Sequence, residues 1–399
     1  MSPSRRSQVP PFEVMRILDR VAELRAAGRD VVSLCAGEPS GGAPVAVHER
    51  AQRLHAARHA LGYTPALGTL ELREALASHC ARWYGLDVDP RSVAITTGSS
   101  GAFLLAFLSA FEHGDRVALA RPGYPAYRNI LRSLGCEVVE LDCGPEVRFQ
   151  PTPELLDAAV ADGGPIAGLV VASPANPTGT MIGRDELAAL SHWCRRRGAR
   201  LVSDEIYHGI AYPDDPSAPG ARGTSAWELD RDAIVVSSFS KYWGMTGFRL
   251  GWMLVPDDLR APADALAGNL ALCPPAPAQL AALGAFEEES YAEAERRVRE
   301  FAASRALLLA RLSALGWGTI APADGAFYVY ADIAPRLGPF PDSSAWCAAL
   351  LEEEGVAVVP GADFDAVGGR TFIRLSLAAG PAAVDEALTR IARFQTRRA

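Results

Sequence analysis

The stretch VAITTGSSGAFLLAFLSAF, residues 93–111, shows the local pattern from which the fold can be predicted. Residues 93–98 combine β-branched and small apolar side chains, which is typical of a short buried strand. Residues 100–111 form an apolar run of helical length, and Gly98-Ser99-Ser100-Gly101 supplies the turn and the helix start. The stretch therefore predicts a strand that is followed directly by a helix.

The same alternation of apolar strand and helix continues to residue 256. Further strands are predicted at residues 116–122, 136–142, 166–174, 199–205, 233–240 and 250–256, with helices at 125–134, 153–161 and 184–197. Apolar strands that alternate with helices form parallel sheets covered on both faces. We therefore predict an α/β fold with a mostly parallel seven-stranded sheet in a large domain.

The pattern changes after about residue 285. A long charged helix, residues 287–315, leads to the short strands FYVYADI (327–333), VAVVPG (356–361) and TFIRLSL (371–377), which we expect to be separated by helices. Short strands mixed with helices in this way are typical of an α+β unit. This part of the chain therefore predicts a second, smaller α+β domain.

The composition is that of an ordinary globular protein. Hydrophobic residues make up 49% of the 399 residues and charged residues 22%. The net charge of −8 and a single short basic cluster, residues 195–197, argue against nucleic-acid binding. No apolar run is long enough for a membrane span, and no secretory signal is evident. Seven scattered cysteines without a CxxC pair indicate reduced thiols, no zinc site and a cytoplasmic protein.

Polar and aromatic residues follow several of the predicted strands. In an open α/β sheet, ligands bind beyond the carboxyl ends of the strands. The residues found there are Gly98, Ser99, Ser100, Tyr124, Asn176, Asp204, Tyr207, Ser238, Lys241 and Arg249. Each has an ordinary explanation taken alone, such as a helix cap or a turn. Together they place an anion site, a flat ring, an amide, a carboxylate, a phenol, an amine and an arginine at one edge.

Lys241 is the only lysine among 39 basic residues. Arginine can replace lysine where only a positive charge is needed, but it stays protonated and is a poor nucleophile. A lysine amine can lose its proton and form a Schiff base. The surviving lysine therefore indicates either imine chemistry or chance, and the composition alone does not decide between them.

A single ligand would use all the groups at this edge. Serine hydroxyls and helix amides suit a phosphate, and a tyrosine ring suits stacking on a flat heterocycle. A carboxylate suits a basic ring nitrogen, and an amine suits an aldehyde. Pyridoxal 5′-phosphate combines these features, so we predict it as the cofactor.

Eight motifs occur in an order that resembles the class I/II aminotransferases, which are fold-type-I pyridoxal-phosphate-dependent transferases. They are GYTPALGTLELREAL (62–76), TTGSSGAF (96–103), RPGYPAY (121–127), SPANPTGT (173–180), SDEIYHG (203–209), SFSKYWGMTGFRLGW (238–252), DGAFYVY (324–330) and FIRLSLA (372–378). The resemblance extends from about residue 12 to the C-terminus. It implies a large cofactor-binding domain at residues 45–285 and a small domain formed by residues 1–44 and 286–399.

The resemblance implies cofactor-binding roles for the residues at the strand ends. Lys241 would form the Schiff base, Asp204 would pair with the ring nitrogen, and Tyr207 would contact the phenolic oxygen. Asn176 would contact the same oxygen, and Tyr124 would stack on the ring. The residues implied around the phosphate are Gly98, Ser99, Ser100, Ser238 and Arg249.

The resemblance also implies a substrate site and a homodimer. Arg374 would bind the substrate α-carboxylate with its planar fork, with help from Asn176 and the backbone of Gly37. Tyr63 would reach the phosphate in the neighbouring subunit, so two subunits would share their sites. The implied reaction moves an amino group from an α-amino acid to a 2-oxo acid by a ping-pong aldimine/ketimine mechanism.

The reaction and the substrate stay open at this point. A β-lyase or a synthase on the same scaffold would begin with the same residues, and some transcription regulators contain a similar pyridoxal-phosphate-binding module. Ser100 stands where some aspartate-specific relatives have a lysine, and no second arginine for an acidic side chain is obvious. The roles of Ser40, Ser240 and Asp324 also stay open.

Overall fold

The computed structural model describes residues 3–398. Residues 1, 2 and 399, which the sequence prediction assigned to the small domain, lie outside the described residues. Within residues 3–398, no helix combines the length and the apolar character that crossing a membrane would require.

Helices and strands together account for most of the described chain. The strands are β1 (Val32–Ser33), β2 (Val93–Thr96), β3 (Arg116–Arg121), β4 (Glu137–Asp142), β5 (Gly168–Ala172), β6 (Arg200–Asp204), β7 (Ile234–Ser238), β8 (Gly251–Leu254), β9 (Tyr328–Asp332), β10 (Val356–Ala357), β11 (Val359–Pro360) and β12 (Phe372–Ser376). The helices are α1 (Glu13–Ala26), α2 (Val45–Ala56), α3 (Leu70–Tyr84), α4 (Gly98–Ala110), α5 (Pro125–Leu134), α6 (Pro153–Gly163), α7 (Arg184–Arg197), α8 (Ala226–Leu229), α9 (Arg260–Leu270), α10 (Ala276–Ala282), α11 (Glu288–Leu315), α12 (Ser343–Glu354) and α13 (Pro381–Thr396).

The central sheet has seven strands in the order β2-β8-β7-β6-β5-β3-β4. All neighbours are parallel except β8, which runs antiparallel to both β2 and β7. The predicted mostly parallel seven-stranded sheet is therefore confirmed. Because β2 and β7 both oppose β8, they run in the same direction. The carboxyl ends of β2, β3, β5, β6 and β7 consequently meet at one edge of the sheet, as the sequence analysis expected.

The sequence explains why these elements form. Strands β5, β6 and β7 each contain a short apolar run and are nearly all buried, as expected for parallel strands covered on both faces. Helix α7 has the predicted bounds because Gly198 follows it with a φ of 66°. That left-handed conformation favours glycine and ends the helix.

A three-stranded antiparallel sheet, in the order β11-β12-β9, lies in the C-terminal part of the chain. The prediction of one strand at residues 356–361 was wrong, because this stretch contributes to two sheets. Strand β10 pairs in parallel with β1, and β11 pairs antiparallel with β12. Only short 3₁₀ turns, rather than the expected helix, lie between β11 and β12. Buried valines predict a strand, but long-range contacts select its partner.

The N-terminal segment is joined to the C-terminal part of the chain by strand pairing. Val32 of β1 pairs with Val356 of β10. This pairing supports a small domain formed by residues 1–44 and 286–399 beside a large domain at residues 45–285. That division stays a prediction.

Candidate active site

The first turn of α4 lies at the edge of the sheet where β2 ends. It contains Gly98, Ser99 and Ser100, whose backbone N–H groups have no partners within the helix. Gly98 has a φ of 66°, and a Cβ added there would collide with the guanidinium of Arg249. A Cβ at Gly251 would lie 2.6 Å from the Ser99 backbone nitrogen. Gly98 thus lets the Arg249 guanidinium approach the positive end of a helix, and Gly251 lets β8 pack against the same turn. A guanidinium beside a helix N-terminus can bind an anion such as phosphate.

Lys241 follows β7 at the same edge. Its Nζ donates a hydrogen bond to the carbonyl oxygen of Gly37 at 2.5 Å. Burial lowers the pKa of Lys241 to about 8, and the charge of Arg374 acts in the same direction while that of Glu38 opposes it. A lysine with this pKa is partly neutral near pH 8, so its amine can act as a nucleophile or as a base.

Asp204 is the last residue of β6 and is 2% exposed. Its Oδ1 accepts a hydrogen bond from the backbone nitrogen of Ile206 at 3.0 Å, and its Oδ2 accepts one from the hydroxyl of Tyr127. Burial raises the pKa of Asp204 to about 6, although both hydrogen bonds and the charge of Lys241 lower it. Asp204 is therefore mainly ionised at neutral pH and can balance a positive charge in its surroundings.

Tyrosine side chains form another part of this region. The hydroxyls of Tyr207 and Tyr328 lie 2.8 Å apart, and both residues are buried. The Nζ of Lys241 lies 5.8 Å from the centre of the Tyr207 ring. The ring of Tyr124 stacks on Phe12, with the ring centroids 6.0 Å apart and the planes inclined by 13°. Phenol groups and a flat aromatic surface thus lie near the amine.

Arg374 lies in the middle of β12 and is 4% exposed. Its Nη1 donates to Asn176 Oδ1 at 3.0 Å, and its Nη2 donates to the Cys35 carbonyl oxygen at 2.8 Å. The guanidinium carbon lies 4.5 Å from the ring centre of Tyr328 and 4.9 Å from that of Phe364. No carboxylate within residues 3–398 forms an ion pair with this guanidinium. The guanidinium is therefore available to bind an anionic group.

A cavity of about 820 Å³ brings most of the predicted site residues together. The predicted residues that line it are Gly37, Ser99, Ser100, Tyr124, Asn176, Asp204, Tyr207, Lys241, Arg249 and Arg374. Gly98 is not among the lining residues, but a Cβ added there would collide with Arg249, which lines the cavity. Ser238 is buried, and its Oγ accepts a hydrogen bond from the backbone nitrogen of Ser240 at 3.0 Å.

Tyr63 does not line this cavity. It is 85% exposed and lies with Leu61, Thr97 and Pro274 in a separate surface depression. Thr97 directly precedes the first turn of α4 in the sequence. In the single chain Tyr63 is therefore a surface residue, and its role in a neighbouring subunit stays a prediction.

Comparison with known proteins identifies the family. The family model described as aminotransferase class I and II matches residues 29–391. The chain belongs to this family. The aminotransferase is 51% identical over 388 residues to the valine–pyruvate aminotransferase of Mycobacterium tuberculosis, with 97% of the chain and 96% of the relative covered. It is 35% identical over 393 residues to the aspartate/prephenate aminotransferase of Thermus thermophilus, with 98% of both covered.

A solved structure supports the same conclusion. A crystal structure of an aminotransferase from Mycobacterium tuberculosis has a TM-score of 0.94 and 49% identity with the chain, with 100% of both chains covered. The predicted fold-type-I architecture is therefore confirmed. The protein is an enzyme that moves an amino group from an amino acid to an oxo acid, so amino-group transfer is confirmed over the lyase, synthase and regulatory alternatives.

The sequence analysis did not single out several residues that line the same cavity. Tyr127 contacts Asp204, Tyr328 contacts Tyr207, and Phe12 covers Tyr124. Tyr127 could have been found, because it lies three residues after Tyr124 in the same helix-opening motif. The contacts of Phe12 and Tyr328 join residues more than 100 positions apart, and no local pattern indicates them.

Two residues whose roles were left open have clear contacts. The Oδ2 of Asp324 accepts hydrogen bonds from Arg148 Nη2 at 2.7 Å and from the Met181 backbone nitrogen at 3.1 Å. Asp324 therefore ties the loop before β9 to two loops of the earlier part of the chain. The hydroxyl of Ser40 donates to the carbonyl oxygen of Ala378 at 2.7 Å, so it holds the N-terminal segment near the end of β12.

Proposed function

We propose that the aminotransferase binds pyridoxal 5′-phosphate in the 820 Å³ cavity. The observation that carries the proposal is that the only lysine of the chain lines the same cavity as a buried carboxylate and the α4 anion site. The close approach of Arg249 to Gly98 fits a phosphate, and the lowered pKa of Lys241 fits an aldehyde partner. The proposed cofactor-binding residues are Gly98, Ser99, Ser100, Tyr124, Asn176, Asp204, Tyr207, Ser238, Lys241, Arg249 and, from the neighbouring subunit, Tyr63.

Three residues are proposed to act in catalysis. Pyridoxal 5′-phosphate, when bound, supplies an electron sink for the pair released as the substrate Cα–H bond breaks. Asp204 provides the negative charge that keeps a proton on the ring nitrogen. Lys241 would hold the cofactor while no substrate is bound, and its Nζ, as a free amine once the substrate occupies the site, would take the proton from the substrate Cα. Tyr207 would help to hold the cofactor through its hydroxyl, which lies 2.8 Å from that of Tyr328.

Arg374 is proposed to bind the substrate α-carboxylate, together with Asn176 and the backbone of Gly37. The hydrogen bonds to Asn176 Oδ1 and the Cys35 carbonyl fix the guanidinium plane. A fixed plane loses little freedom when it binds two carboxylate oxygens. The carboxylate would then hold the amino group of the substrate near Lys241, and this proximity lowers the entropic part of the barrier.

The proposed amino donor is an α-amino acid with an aliphatic side chain. Residues at the start of the chain supply an apolar wall of the cavity, and further apolar residues also line it. These residues are Phe12, Val14, Met15, Leu18, Phe103 and Ile130. The cationic residues that line the cavity are Lys241, Arg249 and Arg374, and each has a proposed partner in the cofactor or the α-carboxylate. The similarity to a valine–pyruvate aminotransferase supports valine as donor and pyruvate as acceptor.

A panel of amino acids would test this proposal. We expect valine to give a kcat/KM at least about 100-fold higher than aspartate, because a second carboxylate without a cationic partner is costly to bury. The half-reaction can be measured as the loss of the visible absorbance of the bound cofactor, and added pyruvate should restore it. Equal efficiency with aspartate, or restoration by oxaloacetate alone, would contradict the proposed substrate class.

We also propose a homodimer in which Tyr63 contacts the cofactor phosphate of the neighbouring subunit. Its exposure of 85% and the exposed apolar residues Leu61, Leu70 and Leu270 support a buried contact in an assembly. Tyr63→Phe should weaken cofactor binding about 10- to 100-fold, since one hydrogen bond to a charged group is lost. Equilibrium dialysis measures that affinity, and sedimentation equilibrium measures the mass. A fully active monomer would rule the proposal out.

We further propose that the enzyme works in the cytoplasm. All seven cysteines are free thiols, and all except Cys273 are buried, which suits a reducing compartment. Recovery of the native enzyme outside the cytoplasm in cell fractionation would argue against this.

A further inference from the structure

Tyr127 lies next to the proposed cofactor site, and neither the sequence motifs nor the proposed function assigns it a role. It is the third residue of α5 and is 6% exposed. Its ring packs against Phe103 and Tyr124, with centroid distances of 5.0 and 5.4 Å. These ring contacts explain an aromatic residue at this position, but phenylalanine would serve them equally well. The hydroxyl needs a separate explanation.

The hydroxyl of Tyr127 donates a hydrogen bond to Asp204 Oδ2. The other donor to this carboxylate within residues 3–398 is the backbone nitrogen of Ile206, which bonds Oδ1 at 3.0 Å. Tyr127 is thus the side-chain donor to a carboxylate that is 2% exposed. A buried carboxylate has lost its water shell and depends on such donors to stay in place and ionised.

Few charged groups near Asp204 affect its pKa, so the hydrogen bond from Tyr127 should have a clear effect on that pKa. Lys241 is the cation that lowers the pKa of Asp204. Burial raises the pKa of the adjacent Glu205 to about 8, so Glu205 is mainly neutral at pH 7. Burial also raises the pKa of Tyr124 to about 12 and that of Tyr207 well above its usual value, so both are neutral. The charge state of Asp204 therefore depends on burial, Lys241 and its two hydrogen-bond donors.

We propose that Tyr127 is a positioning residue whose hydroxyl holds the Asp204 side chain in place and favours its ionised form. The consequence for catalysis rests on the proposed function, in which Asp204 must carry a negative charge beside the ring nitrogen. The effect on Asp204 itself does not rest on the proposed function, because the hydrogen bond joins two residues of the chain and exists without the cofactor.

Infrared spectroscopy of the full-length enzyme, freed of cofactor, tests the proposal. The band of the protonated Asp204 carboxyl is identified as the one that Asp204→Asn removes, and it is followed as a function of pH. In Tyr127→Phe the loss of a bond that favours the charged form must raise the Asp204 pKa. We expect its titration midpoint to rise by about one to two pH units, since a hydrogen bond to a charged group is lost.

A matched control is Tyr330→Phe. Tyr330 is a buried tyrosine of β9 whose ring packs on Phe372, with the centroids 4.8 Å apart. Removing the Tyr330 hydroxyl should leave the titration midpoint of Asp204 unchanged.

If Tyr127→Phe proves unstable, the wild-type enzyme offers a second measurement. We expect a slowly exchanging tyrosine hydroxyl proton, shifted downfield in the NMR spectrum, that disappears in Asp204→Ala, because alanine has no acceptor for the hydrogen bond.

The outcomes separate this proposal from the proposed function. An unchanged midpoint in Tyr127→Phe, or a midpoint that Tyr330→Phe raises equally, would overturn the positioning role. Absence of the hydroxyl resonance would do the same. A raised midpoint in Tyr127→Phe supports it, and it does so even if the enzyme proves not to bind pyridoxal 5′-phosphate, which would refute only the proposed function.

Discussion

Replacing Lys241 with arginine should lower kcat by at least about 10⁴-fold, because arginine cannot supply the neutral amine that proton transfer and Schiff-base formation need. The substitution K241R keeps the positive charge, so a loss of this size would come from chemistry rather than from electrostatics. The wild-type amine is suited to the task because burial lowers its pKa to about 8. Steady-state rates with valine and pyruvate measure the effect, and the melting temperature shows whether the variant is folded.

The scarcity of lysine makes this prediction unusually specific. Borohydride reduction of the wild-type enzyme should fix the cofactor to the peptide that contains Lys241, and K241R should lose that label. Arg196→Lys is the matched control, since it adds a second lysine at the exposed end of α7. In that variant the label should stay with the Lys241 peptide and activity should be unchanged. A label on the N-terminal amine, or an active K241R enzyme, would show that the lysine survived by chance.

Replacing Arg374 with lysine should lower kcat/KM for the amino acid by about 100- to 1,000-fold, because truncating a buried, hydrogen-bonded charge pair costs several kcal/mol. A lysine ammonium cannot bind both carboxylate oxygens in one plane. It would also leave the Asn176 amide oxygen or the Cys35 carbonyl without its donor. Most of the loss should appear as a higher KM, which initial rates over a range of valine concentrations would measure.

Two controls separate carboxylate binding from general damage. Arg370→Lys alters an exposed arginine four residues earlier, whose ion pair with Asp342 is 3.6 Å long, and it should have little effect. Isopropylamine lacks the carboxylate, so R374K and the wild type should process it at similar, slow rates. If R374K loses as much with isopropylamine as with valine, Arg374 is needed for the shape of the site and not for the carboxylate.

Much of the sheet and its helices could be predicted from local patterns. The apolar runs of β5, β6 and β7 and the bounds of α7 were readable because each depends on neighbouring residues. Residues 356–361 show the limit of this approach. Their valines predict burial in a strand, yet Val356 pairs with Val32 and Val359 pairs with Arg374. The local pattern of apolar residues does not predict hydrogen-bond partners that are so distant along the chain.

Most of the candidate site was also predictable, for a different reason. The carboxyl ends of parallel strands meet at one edge, so residues after β2, β6 and β7 could be grouped before any distance was known. Contacts between those residues and the rest of the molecule could not be predicted from the sequence. The apolar wall that contains Met15 and Leu18, and the loops that Asp324 joins, come from parts of the chain that the sheet does not order.

The sequence by itself determined the α/β class, the order of the motifs and the chemical importance of the single lysine. These follow from the period of apolar residues and from the reactivity of side chains, which are properties of residues close together in the chain. The tertiary structure decided the environment of that chemistry. It placed Tyr127 on Asp204, Tyr328 on Tyr207 and Phe12 on Tyr124, and it lowered the pKa of Lys241 by burial. Desolvation and contacts of this kind exist only when distant segments pack together.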